Sequence, residues 1–409
     1  MKAKFKIAFS KCFLLLLAIL NIPLALFLII VSPFFKIKIG ELEMRSLGHC
    51  STSVEIFLSE MECKIHDIKN FKYVWFINDG DWNEGKKICN NFLMKKWSKK
   101  LTIGPRFILE PLFYIFRSLR IIKIGYYFLV PFRHWKDHQS PKNPWQTVDI
   151  YNVLPKTQPQ IKFTEEEERI GQNYLDKHDL KKNSYIIFFA RTSEYRKDQN
   201  FASRNSSIFT LIDGLKMIYK EKKIKAIRLG YSPKNKLNND DKNIIDYSNS
   251  LERSEFLDFY LGFNCKFAVG SGTGPAFIAM MNRKKLLYIN HGVFSQLHQI
   301  TNSYVPLIVP KKFKNLNNNK YLSFSEILEK KLTDEDVIPK HLSEFTFVDN
   351  DEIEISKAIY EMNDYIDNKL IIDLELQKKF WKIFVKNCGY IPENVNVSPY
   401  FLEKYKNLL

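Results

Sequence analysis

The chain has 409 residues, 45% hydrophobic and 26% charged, which is ordinary for globular proteins and enough for two or three packed domains. Its net charge of +17 favours anionic partners such as phosphates, nucleic acid or a lipid surface. Six cysteines at 12, 50, 63, 89, 265 and 388 form no CxxC pair, and eight histidines form no HxH pair. That pattern argues against a disulfide framework or a zinc site and fits a reducing compartment.

Residues 1–35 read as a membrane anchor. Lys2, Lys4, Lys6 and Lys11 precede an uncharged run over 12–35 that is long enough to span a bilayer. A cleavable signal peptide has the same basic start and apolar run, but no small-x-small cleavage site follows. Asn21 and Pro23 divide the run into two halves, each too short to cross alone. The expectation is a kinked helix or helical hairpin that dips into the cytoplasmic leaflet, with the lysines at both ends on its anionic surface. The alternative is an ordinary span.

Residues 36–160 form a first α/β domain. A strand starts at Lys36-Ile37-Lys38-Ile39, a loop with Arg45, Gly48 and His49 follows, and 52–61 read as a helix. A second strand over 73–77 leads into Asn78-Asp79-Gly80-Asp81 and a helix over 83–97. Asp79-x-Asp81 has the spacing of a metal-binding motif, yet Asp-Gly in a polar loop is also a common turn, and the turn is favoured. Over 95–136, lysines and arginines alternate with aromatics such as Phe113, Tyr114, Phe116, Tyr126, Phe128 and Trp135. This suits a face resting on an anionic membrane surface, or helices of the first domain with solvated lysines. Base stacking is a third use, but no RNA- or DNA-binding signature supports it, so nucleic acid is not an expected partner.

Four prolines over 137–163 mark a linker. A second α/β domain covers 161–350. Thr164 caps a helix opened by four glutamates. Strands over 185–190, 226–229 and 244–247 alternate with helices over 208–220 and 252–261. The stretch 265–290 then reads as strand, turn Gly270-Ser271-Gly272-Thr273-Gly274, helix opened by Pro275, and strand over 286–289. Alternating strands and helices imply a parallel, doubly wound sheet whose ligands bind at the carboxyl ends of its strands. Arg191, Gly230, Asp246, Gly270–Gly274 and Asn290 all fall at such ends. The glycine turn is either an anion site at a helix N-terminus or a plain tight turn, and it matches neither the Walker nor the dinucleotide pattern. Arg191 is either a diphosphate clamp or one half of a carboxylate pair. Arg204-Asn205 either completes the site or caps a helix, and Arg228 is a second cation or a buried ion pair. Residues 351–409 read as C-terminal helices.

The order Arg45-x-x-Gly48-His49, Arg191-Thr-Ser193-Glu-Tyr195, Arg204-Asn205, Arg228-x-Gly230, Asp246-Tyr247, Gly270-x-x-Thr273-Gly274 resembles a group of bacterial glycosyltransferases encoded with surface-polysaccharide genes. The resemblance covers about residues 36–300. Its second half also looks like the donor domain of fucosyltransferase-type enzymes. Those have two Rossmann-like domains, the GT-B architecture, and use a nucleotide sugar as co-substrate without metal or other cofactor. The family commonly shows His-x-Arg-Asp after the strand. This chain has Phe189-Ala190-Arg191-Thr192, so the arginine is kept and the His and Asp are not. The resemblance implies that Arg191, Thr273 and Gly274 hold the donor diphosphate, with Gly270, Arg204, Asn205 and Arg228 in support. It places Gly230 in the donor site, Asp246 near the nucleoside, and Arg45 and Gly48 on the acceptor side. His49 is then a candidate base for the acceptor hydroxyl, or a loop histidine. The expected function is transfer of a sugar to a lipid-linked or surface glycan at the cytoplasmic face of the membrane. The alternatives are a non-catalytic nucleotide-sugar or lipid binder of the same fold, and a membrane-attached nucleic-acid binder.

Overall fold

The computed structural model describes residues 2–67, 69–80, 87–122, 124–130, 149–192, 203–230, 235–237, 241–297, 304–333, 338–388 and 394–409. These form two compact units, the described residues up to Ile161 and those from Lys162 to Leu409. Ser193, Tyr195, Asp81, Lys123 and much of the 137–163 linker lie outside the described residues.

Unit 1 begins with helix α1, Lys2–Val31. It is one helix and not a hairpin: Pro23 lies inside it, and the Asn21 amide stays within it by donating to the Leu17 carbonyl at 2.8 Å. A proline removes one helical hydrogen bond, but the apolar residues on both sides keep the helical period. Ser10–Val31 is long and apolar enough to cross a membrane, by length and composition. Near its C-terminal end Ala25 and Leu28 are buried against Leu109, Leu112, Phe113 and Phe116 of helix α4, Arg106–Ser118. Leu16, Ile19, Leu20, Phe27 and Ile30 remain more than half exposed.

Behind α1 lies a three-stranded parallel sheet, β1 (Ile37–Glu43), β2 (Lys72–Asn78) and β3 (Thr102–Ile103). A π-helical turn, His49–Ser53, leads into helix α2, Val54–Glu62, after β1. Helix α3, Asn91–Ser98, is capped by the Asn90 side chain and begins later than the period over 83–97 suggests. The aromatics of the 95–136 stretch are largely core. Phe113 and Phe116 of α4 and Phe128 of helix α5, Ile124–Phe128, are at most 3% exposed, and Phe116 stacks on Phe128 at 4.2 Å. Lys38 sits over the Phe71 ring at 4.7 Å and donates to the Tyr127 and Leu129 carbonyls. The Phe113, Phe116 and Phe128 rings pack in the core of unit 1; Arg133, Trp135 and Lys136 lie outside the described residues.

Unit 2 is built on seven parallel strands. In chain order they are β4 (Ile186–Phe189), β5 (Ala226–Arg228), β6 (Ile244–Ile245), β7 (Phe267–Gly270), β8 (Leu286–His291), β9 (Leu307–Pro310) and β12 (Asn396–Val397). Their spatial order is β12-β9-β8-β7-β4-β5-β6. Every residue of β4, β7 and β9 is buried, as expected where helices cover both faces of a parallel sheet. Helix α6, Glu165–Lys177, opens with a capping box between Thr164 and Glu167. Helices α7 (Ile212–Lys222), α8 (Glu255–Asn264) and α9 (Gly274–Met281) carry the crossovers. A small antiparallel pair, β10 (Lys312–Asn315) and β11 (Phe345–Val348), lies beyond β9.

The C-terminal residues are integral to unit 2 and not a separate helical appendage, because β12 extends the sheet beside β9. The helix Glu352–Ile366 packs so closely on α7 that a side chain at Gly214 would lie 2.8 Å from the Ser356 Cα.

Candidate functional site

The strand order reverses between β4 and β7, since β5 and β6 run off to one side and β8 and β9 to the other. Such a switch point opens a crevice at the carboxyl ends of the two strands. Arg191 lies just past β4 and is 6% exposed. Its backbone N–H donates to the Ser271 hydroxyl at 2.9 Å, and its carbonyl accepts from the Ser206 N–H at 2.9 Å. The Ser206 hydroxyl donates to Ser271 at 3.1 Å and closes this knot. The glycine turn is therefore tied to the ends of both central strands. Thr273 is the N-cap of α9 and its side chain makes no capping bond. Gly272 is required by packing, because a Cβ there would collide with the Tyr288 hydroxyl and lie 3.6 Å from the Arg204 Nε.

The end of β8 forms the next wall. Tyr288, Asn290, His291 and Gly292 line a small cleft together with Arg204 and Gly272. The pairing of β8 with β9 is irregular between Tyr288 and His291, and Asn290 is left-handed at φ 54°. A bulge of this kind re-aims side chains and is common beside functional sites. Asn290 is held by Asn350, which donates to its side-chain oxygen at 2.6 Å and accepts from its N–H at 2.9 Å. His291 is 2% exposed. Burial, with the charges of Arg204 and Lys311, pushes its imidazole down to about 3 against an opposing hydrogen bond to the Val293 backbone. It is neutral at physiological pH. Its Nε2 and the Asn290 amide nitrogen have no hydrogen-bond partner among the described residues. A neutral imidazole with Nε2 unprotonated accepts a hydrogen bond, and the amide donates one. Sequence reasoning placed Asn290 at a strand end and missed His291; its signal was a polar residue closing an apolar strand, as Arg191 closes β4.

Of the other expected donor residues, Asn205 presents its carbonyl to Lys311 Nζ at 2.6 Å. Arg228 is 2% exposed and is ion-paired with Asp246 at 3.4 Å. Asp246 also accepts from the Leu237 N–H, the Ser248 hydroxyl and the Asn249 amide, each at 2.9 Å. These two residues form a knot at the ends of β5 and β6, apart from the switch-point cluster. Gly230, at φ 99°, follows β5 in a conformation that favours glycine.

In unit 1, Arg45 is exposed and lies 3.6 Å from Glu43. Gly48 has ordinary helical dihedrals, so conformational freedom is not its role. His49 opens the π-helical turn and is half-buried. Asp79 is paired with Arg106 at 2.6 Å, and Arg106 also donates to the Gly80 carbonyl at 2.6 Å, which clamps the turn. Glu41 in β1 is a second candidate base. Burial and the negative charges of Glu43 and Glu110 raise its carboxyl to about 7 against the Asn78 hydrogen bond. A lone Glu in an alternating strand gave no sign of this. A larger open hollow, lined by Lys177, Lys225 and Lys242, lies at the amino ends of β5 and β6. Lys177 and Lys225 are paired there with Glu252 and Asp179.

No protein-family model matches the chain, and no curated protein matches it. Among solved structures, a glycosyl transferase of family 9 from Veillonella parvula is similar at 11% identity and TM-score 0.42, over 80% of this chain and 96% of that one. The ADP-heptose lipopolysaccharide heptosyltransferase II of E. coli is similar at 12% identity and TM-score 0.36, over 61% and 84%. The S. aureus MnaA–UDP structure is similar at 11% identity and TM-score 0.37, over 92% and 98%. At these TM-scores the likenesses carry no weight for fold or chemistry, which rest on the residues described above.

Proposed function

We propose that the protein is a metal-independent glycosyltransferase of the GT-B type. It would move a sugar from a nucleotide-sugar donor to a membrane-proximal or lipid-linked glycan in surface-polysaccharide synthesis. The observation that carries this reading is the convergence of Arg191, Arg204, the glycine turn and the polar end of β8 on the switch point of unit 2. Two guanidinium groups and a helix N-terminus suit a diphosphate. An imidazole acceptor and an amide donor beside them suit the hydroxyls of a sugar.

In the reaction the bond from the sugar's anomeric carbon to the phosphate oxygen breaks. The acceptor hydroxyl oxygen bonds to that carbon, its proton passes to a base, and the nucleoside diphosphate leaves. Arg191, Arg204 and the N–H groups of the turn stabilise the charge that develops on the leaving group, commonly a large part of catalysis. Arg228, paired as it is, would shape the nucleoside side through Asp246 and Gly230 more than bind phosphate. Arg45 and Gly48 belong to the acceptor side of the proposal, with His49 or Glu41 as base.

Gly274→Val tests the turn. A branched side chain at the first residue of α9 blocks close approach of a phosphate to the backbone. Isothermal titration with a nucleotide sugar that binds the wild type should show binding lost while thermal unfolding stays cooperative. A variant that binds normally and only melts earlier makes the turn structural.

Nucleotide sugars are cytoplasmic, so the proposal places unit 2 on that side, with α1 as anchor. Single cysteines at Ala3 and Tyr151, in a background with all six native cysteines replaced, should report the arrangement in intact cells. Tyr151→Cys should be shielded from an impermeant maleimide added outside. Labelling of that position contradicts the cytoplasmic assignment. Labelling of Ala3→Cys alone means that α1 crosses the bilayer.

A further inference from the structure

The cysteines look scattered in sequence, yet the fold brings two of them together in unit 1. Cys50 and Cys89 are 39 positions apart and their sulfurs lie 3.2 Å from each other. Cys50 sits in the π-helical turn after β1 and is fully buried. Its carbonyl accepts from Trp97 Nε1 at 2.7 Å, and its N–H donates to the Ser46 carbonyl at 3.0 Å. Cys89 lies in the segment after β2 and is exposed. Its N–H donates to the Met44 carbonyl at 2.8 Å, which fixes this segment against the one that follows β1. The next residue, Asn90, caps α3. Both cysteines are thus held through their backbones on neighbouring segments at the carboxyl edge of the unit 1 sheet. One thiol faces solvent and the other is covered, with the sulfurs already in contact.

We propose that Cys50 and Cys89 are a modification site, an attacking and a resolving thiol that close reversibly into a disulfide when a low-molecular-weight disulfide is present. The sulfurs need only move from 3.2 Å to about 2.0 Å, within reach of small side-chain rotations. The Cys89 thiolate attacks one sulfur of the small disulfide and expels the other as a thiolate, leaving a mixed disulfide on Cys89. The Cys50 sulfur then attacks Cys89 Sγ. The second small thiolate leaves, and the Cys50 proton passes to it. The protein loses two electrons and two protons, and the small disulfide becomes two thiols. Burial, then the contact with Cys89, raises the Cys50 thiol well above its ordinary value. Cys50 is therefore a poor first nucleophile, and exposed Cys89 is the entry point. The closed bond would tie the segment carrying Gly48 and His49 to the one leading into α3. This inference is independent of the proposed sugar transfer.

The test uses the full-length protein in detergent, treated with oxidised glutathione, blocked with N-ethylmaleimide, digested and weighed. The wild type should yield a peptide pair joined through Cys50 and Cys89, about two daltons lighter than the two reduced peptides together, and dithiothreitol should reverse this. Cys50→Ser should stop at a glutathione adduct on Cys89, and Cys89→Ser should leave Cys50 reduced. The proposal is overturned if wild-type Cys89 accumulates the adduct without closing onto Cys50, or if both thiols stay alkylatable while exposed Cys12 is oxidised. Both overturning results are read on the wild type, so they do not depend on either variant folding.

Discussion

Replacing Arg191 with alanine should abolish the rise in melting temperature that a nucleotide sugar gives the wild type, and leave the unliganded protein folded. Its backbone N–H and carbonyl make the bonds to Ser271 and Ser206, and alanine keeps both. The guanidinium and its own contacts are what alanine removes. Truncating one partner of a buried charge-assisted contact costs roughly 2–5 kcal/mol of binding, or about 30-fold to several thousand-fold in Kd. Arg191→Lys should recover part of the loss, since an ammonium keeps the charge and gives up the forked geometry. Titration calorimetry of the three proteins with one nucleotide sugar reads this order. Equal affinities would remove Arg191 from the site.

The second large effect concerns stability. Glu354 is fully buried in unit 2 and accepts from Lys312 Nζ at 2.6 Å, from Lys404 Nζ at 2.7 Å and from the Tyr405 hydroxyl. Lys312 is 3% exposed, so the pair lies out of water. Burial by itself would raise the carboxyl, but the hydrogen bonds from Lys312, Lys404 and Tyr405 outweigh it and hold Glu354 below its ordinary value. Removing one member of a buried pair costs about 3–5 kcal/mol, because the other charge stays uncompensated. Glu354→Ala should therefore lower the melting temperature of unit 2 by on the order of 10 °C. Lys312→Met combined with Glu354→Leu should recover much of that loss. The pH dependence follows from the lowered carboxyl. The contribution is present above the unfolded value of about 4.3 and is lost as pH falls through the folded one. Circular dichroism melts from pH 7 to pH 3 should show the wild type converging on Glu354→Ala at the acid end. A constant difference across that range would contradict the assignment.

Much of unit 2 was legible in sequence because its strands are continuous apolar runs, buried on both faces, and its helices carry their own start signals. Thr164 with Glu167 is a capping box in sequence and in space. The helix read from 252 begins at Glu255 because the Ser254 side chain accepts from the Leu257 N–H at 3.1 Å and sets the start. The strands beyond residue 300 were not read. β12 has two residues, and its partner β9 lies far away in sequence, so no local period announces it. Of the two forms expected at Asn21 and Pro23, a kinked helix or a hairpin, the hairpin is not formed, for a related reason. A proline signal marks a lost hydrogen bond, and the surrounding apolar turns decide whether the helix ends there.

The candidate site was legible in part. Arg191 and the glycine turn stand out as polar and glycine residues closing apolar strands, and the fold ties them through Ser271. That Arg228 pairs with Asp246 was an open alternative that only the loop geometry after β5 and β6 decides. His291 depends on a bulge and a left-handed Asn290. The Cys50–Cys89 contact depends on the pairing of β1 with β2. The cysteine contact is a tertiary fact with no local signature, and for His291 the only local sign was a polar residue closing an apolar strand.

The central claim is that the switch point of unit 2 binds a nucleotide-sugar donor. The most direct measurement is a thermal-shift series with UDP-, GDP-, ADP- and CMP-sugars on the purified full-length protein, because a ligand that binds only the folded state raises its melting temperature. At least one of these sugars should raise the melting temperature of the wild type and leave that of Arg191→Ala unchanged. No shift with any of the four, or the same shift in both proteins, would contradict it.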